Sequence, residues 1–291
     1  MTFTRRGFLS RGAATTLFAR AAPARPPARL DAAVETSVVV CLRGGADVLS
    51  LLVPYRDPEY FLARPTLALA PPGRGARAVL ALDQTLALHP QLSQLQDWIH
   101  SGELGIAVGV GHVDAQQSQR RPLTHRDASA ALERSLGPVV PVTERALEPA
   151  LLALAEQLRA GVAPRLAWVE SPGWDTHVGQ GSSDNGRLAK LINELSHALT
   201  AFRDASRDAF QRVRVVVVSE FGRSVGETRL GGTEDGDAGV LWVLDGPRRL
   251  GRIVGSYGSL EPSRLTRNGA IRPSRDLEQT LAAVFRGEFP A

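Results

Sequence analysis

The chain contains the stretch Arg214-Val215-Val216-Val217-Val218-Ser219-Glu220-Phe221-Gly222-Arg223, in which consecutive valines lead into polar residues and a glycine. A run of valines predicts a strand that is buried on both faces of a parallel sheet. In open α/β sheets, ligands bind outside the carboxyl ends of such strands. The sequence therefore places Ser219, Glu220 and Arg223 where a functional site is expected.

The other apolar segments alternate between strand-like and helix-like patterns. Strands are predicted at Glu35–Leu42, Leu104–Val110, Arg165–Val169, Val213–Ser219 and Val240–Leu244, and helices at Gln91–Ser101, Pro149–Ala160, Gly186–Ala209 and Arg275–Arg286. This alternation predicts a doubly wound α/β fold, with a mostly parallel sheet and helices on both faces. No repeat or clear internal boundary is apparent, so residues 31–291 are expected to form a single α/β domain.

The first 30 residues read as an export signal and a linker. Thr4-Arg5-Arg6-Gly7-Phe8-Leu9-Ser10 fits the twin-arginine pattern, and an apolar patch and small residues near Ala21 to Ala24 follow it. The alternative is a basic tail. The pattern predicts recognition by the twin-arginine export machinery and a periplasmic or secreted protein. No apolar run is long enough to predict a transmembrane span.

Charge and cysteine content exclude several classes of protein. Removing the leader through Ala24 takes away four arginines and leaves 30 basic residues against 30 acidic ones, and Lys190 is the only lysine. A nearly neutral mature chain gives no support for nucleic-acid binding. The single Cys41 excludes multi-cysteine zinc sites and is typical of a packed small side chain.

Polar residues that suit a binding site or an active site follow four predicted strands. In the loop Arg43–Ser50, paired glycines allow a tight turn and Asp47 lies near the strand end, either as a metal ligand or as the N-cap of the next helix. The loop Thr124–Asp127 contributes His125, an isolated histidine of a kind that more often has a structural role than a ligand role.

The third loop, Gly173–Gln180, carries Asp175 and His177 two positions apart. Alternate side chains of an extended backbone face the same way, so both can converge on one cation. The alternative is an aspartate that is hydrogen-bonded to its neighbouring histidine.

The fourth loop region comprises Ser219–Arg223 and the glycine-rich Gly231–Asp237. Its carboxylates suit calcium, magnesium or manganese, and Arg223 suits a phosphate or sulfate ester. The alternatives are a solvated turn and an ordinary ion pair. Because every one of these loops follows a strand, we expect them to gather at one edge of the sheet.

Taken in order, these motifs resemble those of bacterial proteins of the domain of unknown function 1501 family. The resemblance is carried by Arg43-Gly44-Gly45-Ala46-Asp47, Trp174-Asp175-Thr176-His177, Ser219-Glu220-Phe221-Gly222-Arg223 and Gly231-Gly232-Thr233. It extends from about the first strand to the closing helix, and a twin-arginine leader is typical of the family.

The resemblance implies a fold similar to the alkaline phosphatase and sulfatase superfamily, whose members hold divalent metals with clustered Asp and His. Carried over by motif, the implied metal ligands are Asp47, Asp175, His177 and Glu220, joined by His125. Ser50 is the implied nucleophile. The implied reaction is an analogy from the fold alone.

The chain departs from its relatives in two places. Relatives usually read Gly-Gly-Thr-Asp-His-Gly-His where this chain reads Gly231-Gly232-Thr233-Glu234-Asp235-Gly236-Asp237, so two histidines are missing. Asp235 and Asp237 still suit an oxygen-loving metal, whereas zinc affinity should suffer. The segment from Arg126 to Gly173 is also shorter than usual, which predicts a reduced cover over the site and greater access of water.

Two functions follow from this reading. The first is an exported hydrolase in which a divalent metal (manganese, calcium, magnesium or zinc) activates a water or Ser50 against a small anionic phosphate or sulfate ester, and Arg223 stabilises the charged oxygens. The second is a catalytically degenerate binding or scaffold protein of the same fold that holds a cell-envelope partner. A cytoplasmic nucleotide-binding protein is a third alternative, which the sequence disfavours because neither a dinucleotide fingerprint nor a Walker-type lysine follows Gly44 and Gly45.

Overall fold

The computed structural model describes residues 33–75, 78–113, 140–141, 146–181, 186–251 and 253–289. Its strands are β1 (Thr36–Leu42), β2 (Leu52–Val53), β3 (Leu80–Ala81), β4 (Ala87–Leu88), β5 (Leu104–Gly111), β6 (Val140–Pro141), β7 (Leu166–Ser171), β8 (Val213–Ser219), β9 (Gly222–Glu227), β10 (Thr233–Gly236), β11 (Ala238–Asp245), β12 (Ile253–Val254) and β13 (Arg275–Asp276). Its α-helices are α1 (Val48–Leu51), α2 (Pro58–Ala63), α3 (Ser93–His100), α4 (Leu147–Arg159), α5 (Arg187–Ser206) and α6 (Leu277–Phe285). Short 3-10 helices lie at Pro90–Leu92, Arg207–Arg212 and Pro262–Arg264.

A mixed, mostly parallel sheet forms the centre of the protein. Its strand order is β12-β5-β11-β8-β1-β7-β6, and β13 also pairs with β5. Strand β11 runs antiparallel to both β5 and β8, whereas the other pairs in this sheet are parallel. The prediction of an α/β fold with a mostly parallel sheet is therefore confirmed.

Strand β1 shows how the sheet is buried on both of its faces. Val38, Val40 and Leu42 belong to a large core that also contains the apolar residues of α1, α3, α4 and α5. Val39 and Cys41 point the other way, into a smaller core closed by α6. Since successive side chains of a strand alternate between faces, a continuous apolar run is what a strand with helices on both sides requires.

The covering helices follow the apolar spacing of their sequences. The buried residues of α4 recur at intervals of three and four, namely Leu147, Ala150, Leu151, Leu154, Ala155 and Leu158. The same spacing gives α5 a buried stripe that includes Leu188, Ile192, Leu195, Leu199 and Phe202. Each stripe lies along one side of a helix and packs against the sheet. None of the described helices is both long and apolar enough to cross a membrane.

A charged residue inside the valine run has a structural explanation. Arg214 is buried, and its Nε and Nη2 donate hydrogen bonds to Asp245 Oδ2 at 3.0 and 2.6 Å. Its Nη1 donates to the carbonyl oxygen of Val284 at 2.6 Å. These bonds connect β8, β11 and α6 at the amino edge of the sheet, so the guanidinium has partners within the protein in place of water.

Predicted and observed elements agree closely in the core and less well near the site. Strand β8 has the predicted bounds, Val213–Ser219, and α5 ends at Ser206, after which a 3-10 turn replaces the predicted last turn of helix. The polar residues after β8 were expected to form a loop, but Gly222–Glu227 and Thr233–Gly236 pair as an antiparallel hairpin. The small sheet β2-β4-β3 was not predicted either.

Candidate functional site

Three neighbouring strands end at one edge of the sheet and bring three of the motif loops together. The strands are β8, β1 and β7, which are adjacent and parallel. A Cβ on Gly44 would lie 2.4 Å from the backbone nitrogen of Asp175, and one on Gly45 would lie 2.3 Å from the Phe221 ring. The paired glycines therefore allow the loop after β1 to contact the loops after β7 and β8, a contact that larger residues would prevent.

The Arg223 side chain lies at the centre of this contact and is fully buried. Its Nε and Nη2 donate to the carbonyl oxygens of Gly45 at 2.8 Å and Gly44 at 2.5 Å. Further hydrogen bonds run to Asp235 Oδ1 at 2.9 Å, Asp175 Oδ1 at 3.1 Å, and the carbonyl oxygens of Trp174 and Thr233 at 3.2 Å each. Arg223 Nη1 also lies 3.1 Å from His177 Nδ1. This guanidinium links the loops after β1 and β7 to the β9–β10 hairpin.

Asp175, His177 and Asp235 gather around Arg223 at the surface of the protein. His177 Nδ1 makes a short hydrogen bond to Asp175 Oδ1, and His177 Nε2 lies 3.5 Å from both Glu234 Oε2 and Asp235 Oδ1. Partial burial acts to raise the pKa of Asp175, but hydrogen bonds from His177 and Arg223 and their charges lower it to about 2. The Asp175 carboxylate is therefore ionised over the whole physiological range.

Asp47 belongs to a separate, fully buried network. Arg64 of the loop after α2 donates Nη1 to Asp47 Oδ2 at 2.6 Å and Nη2 to Asp47 Oδ1 at 2.8 Å, and both side chains are completely buried. Burial acts to raise the pKa of Asp47, yet the Arg64 charge and hydrogen bonds from Arg64, Ser50 and Gln180 bring it below its ordinary value. Asp47 occupies the N-cap position of α1, but its side chain makes no capping bond to the helix backbone.

The Asp47 network extends to the other loops through Gln180. Gln180 Nε2 donates to Asp47 Oδ2 at 2.7 Å, and Gln180 Oε1 accepts from the Thr176 and Thr233 hydroxyls at 2.9 Å each. Ser50 donates its hydroxyl to Asp47 Oδ2 at 2.6 Å and is buried. The hydroxyl predicted as a nucleophile thus lies inside the protein and is already hydrogen-bonded to a carboxylate.

Glu220 forms a third, independent set of contacts. Its Oε1 lies 2.6 Å from Arg43 Nη1, and its Oε2 accepts the Gly44 backbone N–H at 2.7 Å. The neighbouring Ser219 hydroxyl accepts the Ala46 N–H at 2.7 Å and donates to the Phe221 carbonyl oxygen at 2.6 Å. Both residues hold the loop after β1 against the end of β8.

Two further predicted residues lie apart from Arg223 or outside the described part of the chain. Asp237 is half-buried near Thr266 and Arg272, and burial raises its pKa despite the hydrogen bond from Thr266 and the charge of Arg272. His125 falls outside the described residues, so its assignment stays a prediction.

The described residues do not fit the predicted metal centre. The carboxylates of Asp47, Asp175 and Glu220 take separate partners, and a buried arginine or half-buried arginine neutralises each of them. Across the part of the chain that the structure describes, no three His, Cys, Asp or Glu side chains are arranged to hold one metal ion. The guanidinium of Arg223 lies between Asp175 and Asp235, two of the residues that the sequence proposes as metal ligands.

Comparison with known families supports the motifs in the loops after β7 and β8, whereas the loop after β1 precedes the matched residues. The model of the family described as "Protein of unknown function (DUF1501)" matches residues 60–283. The chain belongs to the DUF1501 family. No curated protein matches the chain. The DUF1501 match covers Arg64 and Arg223 themselves, together with the loop after β7 and the whole hairpin.

Arg64 and Gln180 are the important site residues that sequence reasoning missed. Arg64 lies far from the motif loops along the chain, and nothing in its local pattern distinguishes it from a surface arginine. Gln180 closes the third loop but was not singled out. The only available signal was the chemistry of Asp47, because a carboxylate in an apolar segment requires a partner if it is buried.

Proposed function

We propose that this DUF1501 chain is an exported, non-enzymatic binding protein that uses the carboxyl edge of its sheet to hold a cell-envelope partner. The observation that carries the proposal is the buried guanidinium of Arg223 between Asp175 and Asp235. The export step rests on the twin-arginine pattern around Arg5 and Arg6.

Electrostatics support a structural role for Arg223 over a catalytic one. An arginine side chain stays protonated in proteins, so its positive charge is permanent. A divalent cation at about 4 Å from such a charge would be repelled by about 8 kcal/mol at an effective dielectric constant of about 20. The hydrogen bonds of Arg223 to the loops after β1 and β7 also leave it poorly placed to bind a substrate oxyanion.

The surface beside Arg223 has the character of a contact site. Val178 and Leu230 are 56% and 65% exposed. Their two loops are joined by backbone hydrogen bonds from Gly179 N to Leu230 O at 3.0 Å and from Gln180 N to Gly231 O at 2.8 Å. Two aliphatic side chains thus project from loops that the backbone holds together, next to the acidic side chains around His177.

The charge of this surface indicates the chemistry of the partner. The side chains of Asp175 and Glu234 are 46% and 64% exposed, and Asp235 adds a third carboxylate beside the buried Arg223. Complementary charge steers association and selects partners. The proposed partner is therefore a polypeptide that presents a basic side chain between apolar ones.

The metal-dependent hydrolase is the competing proposal, and one observation favours it. Asp175, His177 and Asp235 do come together, as the sequence predicts. Hydrolysis of aryl phosphate and aryl sulfate esters, assayed with added manganese, zinc, calcium or magnesium, separates the two proposals. We expect no turnover from the folded protein. Turnover that a chelator abolishes, and that is lost in the Asp175→Asn variant, would establish the hydrolase.

A defined peptide pair tests the binding role directly. The probes are a fluorescent peptide that alternates lysine with leucine and a matched peptide that alternates glutamate with leucine. We expect fluorescence anisotropy to show binding of the first peptide only, and weaker binding by the Val178→Ser, Leu230→Ser double variant. The control is Val162→Ser, which changes a side chain of 70% exposure beyond the end of α4. Equal binding of both peptides, or equal loss in the control, would contradict the proposal.

A further inference from the structure

A second polar region lies at the opposite, amino edge of the sheet. A cavity of about 290 Å³ opens between the end of α5, the 3-10 turn after it, the segment before β5 and the end of β11. Its charged lining residues are the arginines Arg203, Arg207 and Arg249 and the acids Glu103, Asp204 and Asp245. This volume is at the small end of the range of about 300–1,000 Å³ that is typical of ligand pockets.

The charges around the cavity favour an anion. Glu103 is already paired with Arg203 Nη2 at 2.5 Å and Arg249 Nη1 at 2.7 Å. Each guanidinium carries five N–H donors, so one carboxylate leaves most of them available. Asp245 is buried and is paired with Arg214, an arginine outside the lining, at 2.6 Å, which leaves Arg203, Arg207 and Arg249 in the lining against Glu103 and Asp204.

Arg207 has an unusual backbone conformation at this cavity. Its φ of 50° and ψ of −131° are close to the first central position of a type II′ turn, which favours glycine. Among the residues that the structure describes, every other position with positive φ is a glycine. The Arg207 guanidinium is exposed, and within that same part of the chain it has no hydrogen bond or ion pair.

Strained residues of this kind persist where the surrounding structure holds them, and they are concentrated at functional sites. A chain that uses glycine at so many similar positions has an arginine at this one. We therefore attribute the arginine at this position to a role of its side chain and not to the backbone conformation.

We propose that this cavity binds a small polyanion bearing phosphate or carboxylate groups, with Arg207 as its recognition residue and Arg203 and Arg249 as further donors. The planar guanidinium matches the two oxygens of such groups and forms paired, charge-assisted hydrogen bonds with them. The site is independent of the edge that contains Arg223, because it lies at the other end of the strands.

Isothermal titration calorimetry with pyrophosphate and with citrate, at low salt, tests this site in the full chain. We expect at least one of the two anions to bind with one site per chain, and the tighter anion identifies the preferred oxyanion. Addition of salt should weaken the binding, since the contacts are ionic. If neither anion binds, the proposal is overturned.

Two variants of Arg207 separate ligand recognition from stability. Arg207→Gln keeps the strained backbone and removes the charge, whereas Arg207→Gly also relieves the strain. Both should weaken anion binding by about tenfold or more, and the glycine variant should melt no lower than the glutamine variant. The matched control is Arg212→Gln. Arg212 belongs to the same 3-10 turn as Arg207, and its side chain pairs with Glu35 at 2.8 Å.

The control should bind the anion within about twofold of the unaltered chain, because Arg212 does not line this cavity. If either Arg207 variant binds as well as the unaltered chain, Arg207 is not the recognition residue and the proposal fails. If Arg212→Gln loses as much affinity, the attraction comes from general positive charge, which also overturns the proposal.

Discussion

Replacing Arg64 with methionine should destabilise the protein strongly, because it leaves the buried Asp47 carboxylate without its cation. Removing one partner of a buried ion pair costs about 3–5 kcal/mol. The carbonyl oxygens of Val225 and Ser224, which accept from Arg64 at 2.7 and 2.9 Å, would lose a donor as well. Each such loss costs about 1–3 kcal/mol when water cannot replace the donor.

A double-mutant cycle separates these contributions. The variant with both Arg64→Met and Asp47→Asn buries no charge, so it should recover the part of the loss that comes from the unpaired carboxylate. It should not recover the part that comes from the two carbonyl oxygens. The free energy of unfolding, measured by urea denaturation followed with circular dichroism, gives both numbers.

The pH dependence of the same variants provides a second check. Arg64 lowers the pKa of Asp47 in the folded state. The ion pair therefore stabilises the folded protein above the unfolded pKa of Asp47, about 4, and this stabilisation is lost as the pH falls further. The deficit of Arg64→Met should therefore shrink in acid, where its buried carboxylate becomes protonated. A deficit of less than about 1 kcal/mol at pH 7, or a double variant as unstable as the sum of the single ones, would refute this account.

Three further predictions concern other parts of the chain. Burial lowers the pKa of His89 to about 4, so the free energy of unfolding should fall by about 3 kcal/mol between pH 6.5 and pH 4. Urea titrations at several pH values should show a smaller fall for the His89→Asn variant. The Arg214→Met variant should lose about 3–5 kcal/mol in thermal unfolding because Asp245 stays buried, whereas Arg212→Met, at an exposed pair, should change stability by less than about 1 kcal/mol. Replacing Arg5 and Arg6 with lysine in the precursor should reduce the periplasmic fraction on immunoblots, and an unchanged fraction would contradict twin-arginine export.

The sequence allowed the central strands to be predicted because burial on both faces leaves a strong local pattern. The valine run of β8 was located to the residue. The direction of β11 could not be predicted in the same way, since an apolar run reads alike in either direction and only its neighbours in the sheet decide it. The β9–β10 hairpin was missed because its sequence is polar and glycine-rich.

The sequence predicted where the motif loops meet, but it did not predict which side chains pair with each other there. The loops after β1, β7 and β8 do meet at one edge, because parallel strands that are neighbours end together. Which carboxylate pairs with which cation depends on tertiary contacts that no local pattern records. Arg64 pairs with Asp47 and Arg223 pairs with Asp175, and both carboxylates are among the metal ligands that the family resemblance implies.

The central claim is that Arg223 supplies the positive charge between Asp175 and Asp235. Elemental analysis of the purified, folded protein tests this claim most directly. The account predicts far less than one equivalent of zinc, manganese, calcium or magnesium per folded chain, and no change in metal content on replacing Asp175 with asparagine and His177 with alanine. About one equivalent of a metal in the unaltered protein, lost in that double variant, would contradict it.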